Sequence, residues 1–212
     1  MKHRSVKVET PSTQERILLA TIECVEEYGL PHVTTRKIAE KAGVNVAAIN
    51  YYFRSKERLL EEAMRVTIRN SFEDARTVLQ EDERPAGERL RRVMEELFEG
   101  GFRFPRITQA HLYTLFTEGR FAYPFQEEGM RAFFQALIDT LAQTAPHVRE
   151  EKRRHLAAVL ASAVFMPFVL PPVFELILGK PIDEEVRKEY LETVFELLTR
   201  ADLIRDDHSR EG

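Results

Sequence analysis

Apolar residues recur at helical spacing along the first sixty positions in short blocks, each closed by a polar or glycine stop. Ile17, Thr21, Cys24, Val25 and Tyr28 form one inward stripe. It opens at Ser12 and Glu15, which have capping-box spacing, and closes at Gly29. Ile38, Ala39 and Ala42 form a second, shorter stripe, with Thr34 or Thr35 as its cap and Gly43 as its stop. Val44 fills the corner that follows. Asn45 caps a third helix in which Ile49 and Phe53 point inward, four residues apart. Val46, Ala47, Asn50, Tyr51 and Arg54 take the opposite face. Ser55 then caps the next helix, with Lys56 in its first turn.

Beyond this point the helical pattern lengthens. A helix from Ser55 to about Gln80 would span nearly 40 Å at 1.5 Å per residue. Further helices are predicted at about 85–100, 105–118, 124–144, 148–170 and 183–201, with a connection at 100–106 and a stop at Pro171-Pro172. No stretch alternates with a period of two. The expected fold is all-α with about nine helices. Residues 1–56 make a three-helix helix-turn-helix domain, of which 1–10 form a polar, disordered arm. Residues 57–212 make a larger helical domain for effector binding and dimerisation.

A two-turn helix with small residues at its start and Asn and Tyr on its outer face suits the major groove. Small side chains admit the backbone to the base edges, and a methyl group packs on the thymine methyl. Buried in a core, the same helix would leave Asn50, Tyr51, Tyr52 and Arg54 without partners. Val46, Ala47 and Asn50 are expected to face bases. Arg36, at the start of the second helix, is the candidate for a bidentate guanine contact. Thr34, Thr35, Tyr51, Tyr52 and Lys56 are expected to hold phosphates, and Asn45 lies at the same surface as the cap.

The runs Thr34-Thr35-Arg36-Lys37-Ile38-Ala39, Ala42-Gly43-Val44, Tyr51-Tyr52-Phe53 and Ser55-Lys56-Glu57 resemble the tetracycline-repressor (TetR) family of bacterial transcription regulators. The resemblance covers about residues 12–62. It is nearest the branch whose recognition helix reads Asn-Val-Ala-Ala-Ile-Asn-Tyr, and it departs from the members that carry Ser-Lys-Gly-Thr-Leu-Tyr there. The resemblance implies that Thr35, Arg36, Tyr51, Tyr52 and Lys56 touch DNA. It also implies that the last two long helices pair into a four-helix bundle in a homodimer, and that filling a cavity in the body lowers DNA affinity.

Charge sharpens this picture modestly. Residues 1–60 carry a net +3 and the remainder −7, within a total of −4, so a basic head sits on an acidic body. Cys24 is the single cysteine, which excludes an intrachain disulfide and fits a cytoplasmic protein, as does the lack of an apolar stretch in the first ten residues. Leu156–Phe174 has no formal charge over 19 residues, but Pro167, Pro171 and Pro172 favour a buried or subunit-contacting helix over a membrane span. The histidines show no zinc-like spacing, and no Gly-rich phosphate loop or nucleophile elbow occurs. No enzyme activity, metal or cofactor is therefore expected.

The body is rich in aromatic residues, most of them expected to be core. An apolar cavity between helices would take its walls from Phe98, Phe102, Phe116, Phe133, Phe165 and Phe168, with His111, Tyr113 and Gln135 as polar handles. The sequence thus reads as a dimeric, ligand-responsive regulator, most simply a repressor. Its partners would be double-stranded palindromic operator DNA, an apolar or amphipathic effector and a second copy of itself, with no membrane. The alternative is a lipid or small-molecule carrier whose helix-turn-helix serves as a protein-contact hairpin.

Overall fold

The computed structural model describes residues 11–81 and 83–203, with side chains to residue 198. The predicted arm at 1–10 lies outside the described residues. Ten α-helices account for the fold, and there is no strand among the described residues. They are α1 Thr13–Tyr28, α2 Thr35–Ala42, α3 Val46–Phe53, α4, α5 Ala86–Arg103, α6 Pro105–Glu118, α7 Pro124–Thr144, α8 Glu150–Val169, α9 Pro171–Leu178 and α10 Glu184–Leu203. Helix α4 runs as Lys56–Ile68, a π-helical turn Arg69–Glu73 and then Asp74–Glu81.

The caps do what the sequence asks of them. Ser12 Oγ accepts from Glu15 N while Glu15 accepts from Ser12 N, closing the capping box. Thr34, rather than Thr35, caps α2, its hydroxyl accepting from Lys37 N at 3.3 Å. Asn45 Oδ1 accepts from Ala48 N at 2.8 Å, and Ser55 Oγ from Arg58 N at 3.2 Å. Gly43 ends α2 with φ 65°, a left-handed conformation that costs glycine nothing.

Two hydrophobic cores result. In the head, Ile17, Cys24, Val25, Ile38, Ile49, Phe53, Leu59 and Met64 are buried together with Ile107 and Ala110 from α6. In the body, α4, α5, α7, α8 and α10 enclose Phe72, Leu79, Met94, Phe98, Phe133, Leu137, Leu160 and Phe168. Each fully buried Leu, Ile or Phe contributes roughly 1.5–3 kcal/mol, so both cores are substantial. Phe125, at the start of α7, packs against both of them.

Three features depart from the sequence reading. Helix α5 does not stop at Gly100 but continues to Arg103, because Gly101 lies against Phe168, where a Cβ would meet the ring at 2.4 Å. Tertiary packing here outweighs the helix-breaking tendency of a glycine pair. Pro171-Pro172 does stop α8, but it also starts the unexpected helix α9, since proline suits the first turn of a helix. Helices α8 and α9 meet at 99°, and no single helix among the described residues is long and apolar enough to cross a membrane. Finally, the π turn interrupts α4, which the periodicity presented as a continuous α-helix.

Candidate nucleic-acid interface and effector body

Helix α3 is fastened to the head by Ile49 and Phe53 and by its Asn45 cap, so its opposite face is presented to solvent. Val46, Ala47, Asn50, Tyr51 and Tyr52 are all exposed, Tyr51 by 80 %. The Tyr51 and Tyr52 rings meet edge to face with centroids 5.1 Å apart. Thr34 and Arg36 are exposed at the start of α2, with Thr35 and Lys56 partly so. The arrangement brings the ten candidate DNA contacts onto three neighbouring helix starts and one helix face.

The cations of the head divide into two sets. Lys37 donates to His32 O at 3.2 Å and stands 3.9 Å over the Tyr28 ring; Lys41 pairs with Glu27 at 2.7 Å and Glu23 at 3.6 Å. The Glu27 carboxylate, through that hydrogen bond, raises the Lys41 pKa above its ordinary value. These two lysines tie α2 to α1. Arg36, Arg54 and Lys56 make no side-chain bond or ion pair among the described residues and remain free for phosphates or bases.

Arg54 falls outside the ten residues that the sequence pattern points to, and its setting is unusual. With the cap residue Ser55 it links α3 to α4, at φ 65°, ψ −39°, with Ser55 N donating to Phe53 O at 2.8 Å. This is a γ-turn, and Arg54 is the one non-glycine residue at positive φ among the described residues. No sequence pattern announces it, because glycine is the residue expected in such a link.

This surface matches the model of bacterial regulatory proteins of the tetR family over residues 17–63. Residues 17–63 thus form a tetR-type DNA-binding domain, and the chain as a whole has a TetR-like fold. The BetI 1 transcriptional regulator of Chromohalobacter salexigens is 40 % identical over 55 residues, 26 % of this chain and 27 % of that one. The BetI regulator of Escherichia coli is 25 % identical over 177 residues, covering 81 % of this chain and 86 % of its own. In fold, the chain is similar to the fatty acid degradation regulator FadR of Bacillus halodurans, with a TM-score of 0.62 at 18 % identity, over 90 % of this chain and 96 % of that one. The head is a DNA-binding helix-turn-helix and the body a larger helical domain.

In the body the nine effector candidates do not gather around one cavity. Phe98, Phe102, Phe165 and Phe168 form a chain of tilted rings with centroids 5.1–6.4 Å apart, and Phe133 packs on Phe72 at 5.1 Å. Tyr113 and Phe116 face solvent on α6, and Gln135 is exposed on α7, donating to Asp139 at 2.9 Å. His111 is bound at both nitrogens. Tyr123 N donates to Gln126 Oε1 at 3.0 Å, so Gln126 Nε2 is the donor to His111 Nδ1, also at 3.0 Å. His111 Nε2 then carries the proton and donates to Thr67 Oγ1 at 2.8 Å, whose own hydrogen goes to Met64 O at 3.0 Å. Burial pushes the His111 pKa from its ordinary 6.5 down to about 4, consistent with this neutral form. The chain joins α7, α6 and α4 next to Phe125, where head and body meet.

Proposed function

We propose that the protein is a homodimeric repressor that reads a palindromic operator and is released by an apolar or amphipathic small molecule. The observation that carries the reading is α3. Its apolar pair and cap are spent inward, and Val46, Ala47, Asn50 and Tyr51 are left outward on a helix short enough to lie in the major groove. Arg36 then reads a guanine, while Thr34, Thr35, Tyr51, Tyr52 and Lys56 hold phosphates. Asn45 orders the helix start that approaches the backbone.

Dimerisation is supported by the outer face of α8, α9 and α10. Val159, Leu170, Val173, Leu176, Ile177 and Leu197 are exposed there, Leu176 by 84 % and Ile177 by 71 %. Adjacent exposed apolar residues of this kind mark an association surface, and a two-fold partner gives two recognition helices for two half-sites. The effector class is supported by the phenylalanine-walled body. Phe98, Phe102, Phe133, Phe165 and Phe168 are the inner wall that a guest would part, and His111 is the coupling group beside it; Tyr113, Phe116 and Gln135 lie outside that wall.

The test is a gel shift with an operator duplex selected from a palindromic pool, at several salt concentrations, with sedimentation of the free protein. Tight binding that falls steeply with salt, two chains per duplex, is the expected result. Sequence-independent binding at all salt concentrations, or a monomer on DNA, overturns the reading.

A further inference from the structure

An open cleft of about 380 Å³ runs between α4 and α7 beside the π turn. That is the lower end of the range of small-molecule sites. Ile68, Phe72 and Phe125 make its apolar floor, and Gly129 and Ala132 its low far wall. Gly129 faces Ile68 across the cleft, and a Cβ there would just reach contact with it at 3.4 Å. The rim is charged. Arg65, Arg69 and Arg76 line it with Glu73 and Glu128.

The three guanidiniums are not equivalent. Arg65 is held by Glu61 and Glu62 at 3.1 and 3.6 Å, and Arg76 donates to Gln80 at 3.1 Å. Arg69 makes no hydrogen bond or ion pair among the described residues, although it stands in the π turn, in the middle of the rim. π turns disrupt regular helix bonding and concentrate at functional sites. The floor offers an ammonium no open aromatic face, since Phe125 has Arg65 over its ring at 4.3 Å and is stacked on Tyr123 at 5.2 Å, which leaves a cation only Glu73 and Glu128 of the rim. Phe72 is packed against Phe133 and Phe165.

We propose that this cleft seats an amphiphilic monocarboxylate, its head on Arg69 and its chain along Ile68, Phe72 and Ala132. This deepens the proposed effector response and rests on it for any effect on DNA. A carboxylate accepts two parallel bonds from a guanidinium, which gives orientation as well as affinity. The chain lies against Phe72, the ring at the cleft end of the aromatic series leading through Phe165 to Phe168 and Phe102. Phe125 touches both cores, and the neighbouring Gln126 starts the bonded chain to His111 and Thr67. A guest that separates α7 from α4 therefore strains the joint between head and body.

Calorimetric titration of the full chain with dodecanoate, dodecanol and dodecyltrimethylammonium, each below its micelle concentration, tests the assignment. Dodecanoate is expected to bind once per chain, at least about tenfold more tightly than either other probe. Arg69→Gln should bring dodecanoate down to the level of dodecanol, Arg69→Lys should keep part of the difference, and Ala132→Leu should weaken all three by filling the cleft. Equal affinity for dodecanoate and dodecanol, a preference for the ammonium, or an unaltered dodecanoate affinity in Arg69→Gln overturns the proposal. Operator affinity measured with and without dodecanoate separates the two readings. Binding through Arg69 that leaves DNA affinity unchanged keeps the cleft and removes the switch. Release from DNA that survives Arg69→Gln keeps the switch and removes the cleft.

Discussion

Replacing Arg54 by glycine should make the protein more stable and a poorer DNA binder at once. At φ 65° and ψ −39° a side chain sits in a strained region that costs about 1–3 kcal/mol. Glycine removes that cost, but it also loosens the unfolded chain, which takes back about 0.4–1 kcal/mol. The net expectation is a gain of about 1 kcal/mol, which raises the melting temperature by roughly 2–4 °C in a chain of this size. The guanidinium is exposed, without a partner, and two residues from Lys56 on the surface that bears Tyr51. Its removal should leave one phosphate per subunit without its cation and flatten the plot of log affinity against log salt by about 0.9 for each such phosphate. Arg54→Ala is the control: it removes the guanidinium but keeps the strained backbone, so its salt slope should match Arg54→Gly without the stability gain. Urea or thermal unfolding, with fluorescence anisotropy of a labelled operator at four salt concentrations, reads both quantities. A less stable Arg54→Gly protein refutes the strain argument, and an unchanged salt slope refutes the DNA contact.

Four further outcomes are expected. Lys56→Ala should weaken all duplexes alike and flatten the salt slope by about one unit, whereas Arg36→Ala should cost about 1–3 kcal/mol and relax preference at one base pair per half-site; a panel of single-base operator variants distinguishes the two. Gly101→Ala should destabilise by about 1–3 kcal/mol, because its methyl would sit within 2.5 Å of three Phe168 ring atoms, and urea unfolding measures it. Leu176→Glu combined with Ile177→Glu should convert a dimer to a monomer in sedimentation without loss of helix, by charging the most exposed part of the apolar face. His111 should make stability fall in acid. Its folded pKa of about 4 lies below the ordinary 6.5, so the unfolded chain binds the proton first. Its contribution is complete above pH 6.5 and is lost as pH falls to 4, a span worth about 3 kcal/mol at 1.36 kcal/mol per unit. Urea midpoints of wild type and His111→Gln between pH 7 and 4 should therefore converge as pH falls.

The head was legible in the sequence because its signals are local. Ser12, Asn45 and Ser55 cap within three residues of themselves, and Gly29 and Gly43 each end a helix at positive φ. The body was legible as helices but not as a site. His111 reads as a ligand handle until its partners are known, and Thr67 and Gln126 are 44 and 15 residues away. Tyr113 and Phe116 carry the same apolar promise as Phe98 and Phe133, and only tertiary packing puts the first pair outside and the second inside. The π turn and the γ-turn at Arg54 leave no compositional trace, since both are imposed by what the flanking segments must bury. The Gly100-Gly101 pair misled for a related reason. Its lack of side chains serves the approach of Phe168, not a break in the chain.

These long-range contacts also decide how a signal can travel. The head is fastened to α6 at its start, where Glu26 of α1 accepts from Ile107 N at 3.0 Å and from Arg106 N at 3.4 Å. A carboxylate at a helix N-terminus is favourably placed, and it holds the start of α6 in register with α1. Ile107 and Ala110 then enter the head core itself. Helix α6 is therefore tied to the head, while it also packs on α5 and α8 of the body. The body holds the head through α4, through the packing of α6 on α5 and α8, and through Gln126 and His111, the bonded joint by which a change in α7 reaches α6 and α4. A substitution that cuts the joint without emptying a core, such as Gln126→Leu or Thr67→Val, should lower the coupling between effector and DNA while leaving each affinity, measured alone, nearly as it was. Coupling is reciprocal, so the same reduction must appear whether DNA is titrated in the presence of effector or effector in the presence of DNA. If full coupling persists in both variants, the signal passes through helix packing and not through the bonded joint.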